Sequence, residues 1–258
     1  MGILAGAVLA ACTTGEGSGP SEAAPSPTAS PAIVDGEPCP PAPEHLDLPP
    51  EAGCASSTSS DFEPDEDAQT FIAYALVDQR RLPEEWHLRV TRDDGDHLDQ
   101  RVAIGSDASY PLVLGAEDAD GRGLDEAFVK VLSHSYHSGK TYEVAMFGVR
   151  KDRFFQIEAD GEPLVFQIGG VSVFGQGAEC RDVNADGRPE FLVLYIDGVH
   201  NEVQETVERI YSWRNRSLSL MRREEGRLVK TGYSDPLLWR YYSLRCFDFE
   251  PPYPFKRG

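Results

Sequence analysis

Short apolar runs, bounded by glycine, proline and acidic residues, recur through the second half of the chain. Residues 127–131 and 191–195 are two such runs, and each directly follows an acidic loop. Runs of this length with β-branched and aromatic residues are typical of buried β-strands. Helical spacing is scarce: Phe71, Ala75 and Leu76 favour one short helix over residues 68–77. The pattern therefore predicts an all-β fold of antiparallel sheets.

The two loop-and-strand units lie at a constant spacing, because Asp118 and Asp182 begin equivalent loops (182 − 118 = 64). The same offset aligns further strand residues without a gap. These pairs are Met146 with Ile210, Phe147 with Tyr211, Val149 with Trp213 and Phe154 with Leu218. We therefore predict two internal repeats, at residues 110–166 and 171–229, each holding four strands.

The remaining elements limit the architecture. In the second repeat we expect strands at residues 171–175, 191–195, 207–213 and 218–222. Outside the repeats we expect a leading hairpin, at 86–91 and 100–104 around a solvated Asp-Gly turn, and one or two strands in the tail at 237–249. Closed propellers have about 4–8 blades, and this domain of residues 68–249 is too short for a ring. We expect blade-like sheets packed face to face, with the hairpin and the tail completing a third sheet.

The second acidic loop, residues 182–190, carries oxygen-bearing side chains at alternate positions. Positions 1, 3, 5 and 9 are Asp182, Asn184, Asp186 and Glu190. Gly187 at position 6 permits a left-handed turn, and Arg188 at position 7 offers its carbonyl oxygen. Because Ca²⁺ takes six to eight oxygen ligands, the loop predicts a structural calcium site.

The first acidic loop, residues 118–126, has the same design with one departure. Its ligands would be Asp118, Asp120, the Leu124 carbonyl and Glu126. Position 5 is Arg122, a cation where a carboxylate is expected. We therefore predict weaker calcium binding, or none, in this loop.

Residues 182–193, Asp-Val-Asn-Ala-Asp-Gly-Arg-Pro-Glu-Phe-Leu-Val, resemble the signature of FG-GAP or VCBS repeats. These repeats occur in integrin alpha-subunit propellers and in many secreted bacterial proteins. The resemblance covers roughly residues 110–222. It implies that each repeat forms a four-stranded blade and that the second acidic loop binds Ca²⁺ through the residues named above.

The amino terminus looks like a bacterial lipoprotein signal. A short apolar run ends in Leu9-Ala10-Ala11-Cys12, which resembles a lipobox whose cysteine is lipidated. No Lys or Arg precedes the run, although a signal peptide normally begins with basic residues. We expect residues 1–12 to be the signal, Cys12 to carry the lipid, and the protein to lie on the extracytoplasmic face of the membrane.

Residues 13–67 are rich in proline, serine and acidic residues, and we predict a disordered linker there. Thirteen acidic residues and no Lys or Arg precede Arg80, so most of the net charge of −19 belongs to this part of the chain. The rest carries 43 − 13 = 30 acidic residues against 24 basic ones. Without a basic stripe to neutralise phosphates, nucleic acid is not an expected partner.

Four cysteines remain once Cys12 is assigned to lipid, an even number in a chain predicted to be exported. They allow three pairings. We prefer Cys39–Cys54 and Cys180–Cys246, with free buried thiols as the alternative.

Three functions remain open: a calcium-stabilised binding module, a hydrolase or other enzyme, and a purely structural envelope protein. No GxSxG, HExxH or phosphate-binding glycine loop is present, so we lean away from an enzyme. The loops bearing His134, His137 and His200 follow corresponding strands of the repeats and are the predicted contact face, although polar loop residues are usually only solvated. An envelope protein or a wall polymer is the expected partner.

Overall fold

The computed structural model describes residues 42, 44–64, 68–79, 83–103, 110–136, 139–171, 173–198, 202–229, 236–247 and 249. Apart from a 3-10 helix at Glu44–Leu46 and a single-turn helix α1 at Pro236–Trp239, the elements in these residues are strands, as predicted. None of the helices in this described part is long and apolar enough to cross a membrane. Four predicted site residues, Cys12, Cys39, His137 and His200, lie outside it.

The chain begins its folded part with an antiparallel sheet of four strands, which we call the leading sheet, in the order β1-β2-β3-β4. Its strands are β1 Ala52–Ser60, β2 Gln69–Val77, β3 Pro83–Thr91 and β4 His97–Val102. The predicted hairpin is thus confirmed as β3 and β4. Two other predictions are wrong: residues 68–77 form a strand and no helix, and the predicted linker extends too far, because β1 lies inside it.

Both errors have a physical reason. In β2, Phe71, Ala73 and Ala75 face the core while Ile72 and Tyr74 pack on the opposite face, so the strand is buried on both sides and shows no polar alternation. In β1 the side chains are alanine, glycine, serine and threonine with one buried cysteine, and the strand is defined mainly by its backbone pairing with β2. A hydrophobicity pattern detects neither case reliably.

The two repeats are present at the predicted spacing. The first repeat holds β5 Leu112–Glu117, β6 Glu126–Tyr136, β7 Gly139–Arg150 and β8 Arg153–Gln156; the second holds β12 Phe174–Arg181, β13 Glu190–Asp197, β14 Val203–Arg214 and β15 Ser217–Val229. The last three strands of each repeat begin at positions that differ by the same number (190 − 126 = 203 − 139 = 217 − 153 = 64). The first strand of the second repeat was predicted at residues 171–175. It lies further along the chain, as β12, because its hydrogen bonding with β13 begins only at Phe174.

The repeats are joined edge to edge, which the sequence does not indicate. Three further strands lie between them: β9 Glu158–Ala159, β10 Glu162–Pro163 and β11 Val165–Gly170. β11 pairs with β7 on one side and with β12 on the other, so both repeats belong to one sheet. Gly169 has a φ of +94° at this junction, a conformation that glycine adopts without strain.

Although they share hydrogen bonds, the repeats also pack face to face, as predicted. Neighbouring residues of β6 point in opposite directions: Val129 joins a core formed with the leading sheet, and Phe128 joins a core formed with the second repeat. Leu192 of β13 lies in a third core, against Leu238 and Tyr241 of the tail. Four layers therefore follow one another: leading sheet, first repeat, second repeat and tail.

The tail corrects another expectation, because it does not build a third sheet with the leading hairpin. It forms α1 and the short strand β16, Leu244–Arg245, which pairs in parallel with β12. The Cys180–Cys246 disulfide is confirmed and fixes the tail to the second repeat. Cys54 is also disulfide-bonded; its predicted partner, Cys39, lies outside the described residues, so that pairing stays a prediction.

Candidate functional site

Each acidic loop connects the first two strands of its repeat. The first acidic loop runs from β5 to β6 and the second from β12 to β13. Two residues in each loop have positive φ angles, at positions 4 and 6: Gly121 (69°) and Gly123 (83°), and Ala185 (59°) and Gly187 (86°). The two loops therefore have the same backbone path, including a left-handed alanine that a glycine replaces in the other repeat.

Side-chain oxygens hold this backbone path through the same hydrogen bonds in both loops. The position 1 carboxylate accepts the N–H groups of positions 5 and 6, the position 3 oxygen accepts the N–H of position 5, and the position 9 carboxylate accepts the N–H of position 2. In the order just given, the four donor–acceptor distances in the first loop are 2.8, 2.7, 3.0 and 3.1 Å. In the second they are 3.2, 2.8, 2.8 and 2.8 Å. The backbone N–H groups, with Gly187 foremost, hold the pKa of Asp182 below its ordinary value.

The first acidic loop concentrates negative charge in a buried place. Oxygens of Asp118, Asp120 and Glu126 lie within 4.8 Å of one another, and the last two side chains are buried. Burial, together with the charge of Asp120, raises the pKa of Glu126 to about 8. Arg122, the departure noted in the sequence, lies with its Nε 3.4 Å from Asp120 Oδ2 and donates from Nη1 to the Asn215 carbonyl. An arginine and a raised carboxyl pKa thus offset the charge within the loop.

The second acidic loop places three of its predicted ligands, Asn184, Asp186 and Glu190, beside one another. The amide nitrogen of Asn184 lies 2.6 Å from Glu190 Oε1 and 3.2 Å from Asp186 Oδ2, so positions 3, 5 and 9 meet at one point. The donor set of three carboxylates, one amide oxygen and the Arg188 carbonyl fits the oxygen preference of Ca²⁺. In the described part of the chain, no lysine or arginine forms an ion pair with Asp182, Asp186 or Glu190.

A third acidic loop, which sequence reasoning missed, connects β1 to β2; it repeats one hydrogen bond of the other two, but its position 4 is Pro64, whose ring excludes the positive φ found there in both repeats. We call residues 61–69 the leading acidic loop; residues 65–67 of it lie outside the described residues. Phe62 N, at position 2, donates to Gln69 Oε1, at position 9, over 2.7 Å, as the equivalent groups do in both repeats. Position 3 is Glu63, which is buried and paired with Arg92 through two contacts of 2.6 and 2.9 Å.

The three loops are neighbours at one end of the sheets. Asp125 of the first acidic loop accepts the N–H of Asp61, at 3.0 Å, and donates its own N–H to the Asp61 carbonyl, at 2.8 Å. A Cβ at Gly121 would lie 2.9 Å from Pro189 Cδ of the second loop. In both repeats the residue at loop position 8, Asp125 or Pro189, therefore lies against the acidic loop of the preceding layer.

The histidines predicted as a contact face are placed differently from the acidic loops. His134 lies within β6 and no loop, and its Nε2 is 2.7 Å from Glu143 Oε1 on β7. Its ring is mostly buried, with 17% of the side chain exposed. Because the other two histidines are not described, the grouping of all three stays a prediction.

One signal could have identified the leading loop. Asp61 and Gln69 are eight residues apart, as Asp118 and Glu126 are, and an apolar strand follows each pair. The acidic, proline-containing composition of residues 61–67 concealed it, because the same composition is typical of a linker.

Comparisons of the chain with models of protein families, with curated proteins and with solved structures give no match.

Proposed function

We propose that this chain is an extracytoplasmic binding module, anchored to the membrane by lipid on Cys12, in which the second acidic loop holds a structural Ca²⁺ and no reaction is catalysed. The observation that carries the calcium assignment is that the first and second acidic loops share their hydrogen bonds and backbone path but differ in charge pairing. In the first loop Arg122 lies beside Asp120, and in the leading loop Arg92 pairs with Glu63. Within the described residues, no lysine or arginine pairs with Asp182, Asp186 or Glu190, and the Asn184 side chain lies beside both Asp186 and Glu190.

The sequence supports the remaining parts of the proposal. Leu9-Ala10-Ala11-Cys12 resembles a lipobox, and a diacylated cysteine supplies the two chains that stable anchoring requires. The proline-rich residues that follow can carry the folded part away from the membrane surface, toward an envelope protein or a wall polymer. The FG-GAP resemblance fits the same reading, because each repeat has the four strands of a blade.

Calorimetric titration of the full chain with CaCl₂ tests the metal site. We expect about one site per chain, with a Kd on the order of 0.1–1 mM, as is usual for extracellular modules. The variant Asp182→Asn removes a negative ligand and should abolish the heat of binding. Asp118→Asn changes the equivalent position of the first loop and serves as the matched control, which should bind like the parent.

Equal loss of binding in both variants, or no binding by the parent, contradicts the calcium assignment. Detergent-phase partitioning tests the anchor separately: the exported parent should enter the detergent phase, and Cys12→Ala should remain in the aqueous phase. Partitioning that is unchanged by this substitution contradicts the lipid anchor.

A further inference from the structure

The outward face of the leading sheet carries a cavity of about 410 Å³. This face looks away from the core shared with the first repeat. One wall is the 3-10 helix and its continuation, including Leu46 and Asp47, and the other is the β3–β4 turn with Gly95. The volume lies within the range of about 300–1,000 Å³ found for small-molecule sites.

Two neighbouring cross-strand rows form the floor. One row runs Ser57, Ile72, Arg89 across β1, β2 and β3, and continues to Asp99 on β4; the next runs Ser59, Thr70, Thr91 and His97. Residues in one row project from the same face of the sheet. The second row therefore presents three hydroxyl groups and one imidazole side by side, and their short side chains leave the hollow between the walls.

The deep part of the floor is held rigidly. Arg89 is buried, donates from Nε to Asp99 Oδ2 over 2.8 Å and from Nη1 to the Asp47 carbonyl over 2.8 Å. Tyr74 donates its hydroxyl to the same carboxylate, at 2.7 Å, and His87 Nδ1 lies 3.2 Å from it. Because Asp99 fixes these side chains from below, the cavity is formed before any ligand enters, which lowers the entropy cost of binding.

The charges around the cavity select against anions. Among the described residues that line the cavity, Arg89 is the one lysine or arginine and is paired with Asp99; the other ionisable lining side chains are Asp47, His45 and His97. The β3–β4 turn, whose Gly95 lines the other wall, also carries Asp93, Asp94 and Asp96. An anionic ligand would meet this excess of negative charge, and among the described lining residues no lysine or arginine is left to pair with it.

We infer that this cavity binds a neutral, hydroxyl-rich ligand of one or two rings, that is, a saccharide unit. Serine and threonine hydroxyls both donate and accept hydrogen bonds, as sugar hydroxyls do, and the exposed edge of Leu46 in the wall offers a small apolar contact to the C–H face of a ring. The inference rests on the proposed function and deepens it, because it names the chemistry of the partner and places its site away from the acidic loops.

Ligand-observed NMR on the full chain tests the inference, with maltose and diacetylchitobiose as neutral probes and inorganic phosphate and glucuronate as anionic ones. We expect a neutral disaccharide to bind with a Kd on the order of 1 mM, and the anions not to bind. The double variant Ser59→Ala, Thr91→Val removes two floor hydroxyls with little change of shape. It should bind at least about tenfold more weakly, with its melting temperature within about 2 °C of the parent. Ser219→Ala, on β15, is the control and should bind like the parent.

Binding of the anions alone, or undiminished disaccharide binding by the double variant, overturns the inference. So does the absence of binding by both disaccharides. The calcium titration separates this failure from that of the proposed function: if Asp182→Asn loses calcium while no saccharide binds, only the cavity assignment falls. If neither calcium nor saccharide binds, both fall.

Discussion

Arg92→Met should be one of the more destabilising single substitutions in the leading sheet. It leaves Glu63, which is only 7% exposed, without its two contacts of 2.6 and 2.9 Å. Breaking a buried ion pair by removing one partner costs about 3–5 kcal/mol, because the remaining charge is left without compensation. For a domain of this size, 1 kcal/mol corresponds to about 2–4 °C, so the melting temperature should fall by roughly 6–20 °C.

Urea denaturation, followed by tryptophan fluorescence, measures this cost. Trp86 lies on β3, six residues before Arg92, and reports on the same sheet. A second variant, Glu63→Gln with Arg92→Met, removes both charges and should recover most of the lost free energy of unfolding. If the double variant recovers this free energy, the loss in Arg92→Met comes from the uncompensated carboxylate of Glu63 and not from lost packing.

Arg101→Met is the matched control on the neighbouring strand. Its pair with Glu85 is longer, 3.4 Å, and 67% of the arginine side chain is exposed, so its loss should cost less than about 1 kcal/mol. Equal costs for the two arginine variants would refute the reasoning, because the carboxylate of Glu63 would then not behave as a buried charge. No recovery in the double variant would likewise show that the carboxylate is not the cause.

Two further outcomes test the first repeat and the tail. The folded-state pKa of Glu126 is about 8 against an ordinary 4.5, so stability is full below pH 4.5 and is lost as pH rises through 8. In calcium-free buffer Glu126→Gln should therefore be more stable than the parent above pH 8, by up to roughly 5 kcal/mol, and equal to it near pH 4; urea midpoints that differ by the same amount at both pH values contradict this. Replacing both Cys180 and Cys246 by serine removes a disulfide that spans 66 residues and leaves the one at Cys54 in place; it should lower the free energy of unfolding by about 4 kcal/mol in urea titrations against the parent, and an unchanged value contradicts the structural role.

The repeats were predictable because each contains a loop that requires particular residues and leads directly into a strand buried on both faces. The strand of residues 191–195 illustrates this: Phe191 packs toward the first repeat and Leu192 toward the tail, so its whole run is apolar. A constant spacing in sequence between two such units can be recognised before any individual strand is assigned. The internal comparison therefore succeeded where single-strand patterns were ambiguous.

What the sequence concealed depends on contacts between distant segments. β1 has no apolar alternation, and its place is set by pairing with β2 and by Cys54 in the core. β11 is apolar in part, but nothing local to it indicates that it joins two repeats. The saccharide cavity is harder still, since Ser59, Thr70 and Thr91 come from three strands and become neighbours only through the register of the sheet.

The three acidic loops share one hydrogen bond but differ in how their acidic side chains are paired. In each loop a side chain at position 9 accepts the N–H of position 2, and this bond forms with glutamine as well as with glutamate. The bond itself therefore does not need a full set of carboxylates. In the leading loop Glu63 pairs with Arg92, and in the first loop Asp120 lies beside Arg122. In the second loop no lysine or arginine of the described residues pairs with Asp182, Asp186 or Glu190, and on this difference rests our proposal that calcium binds there.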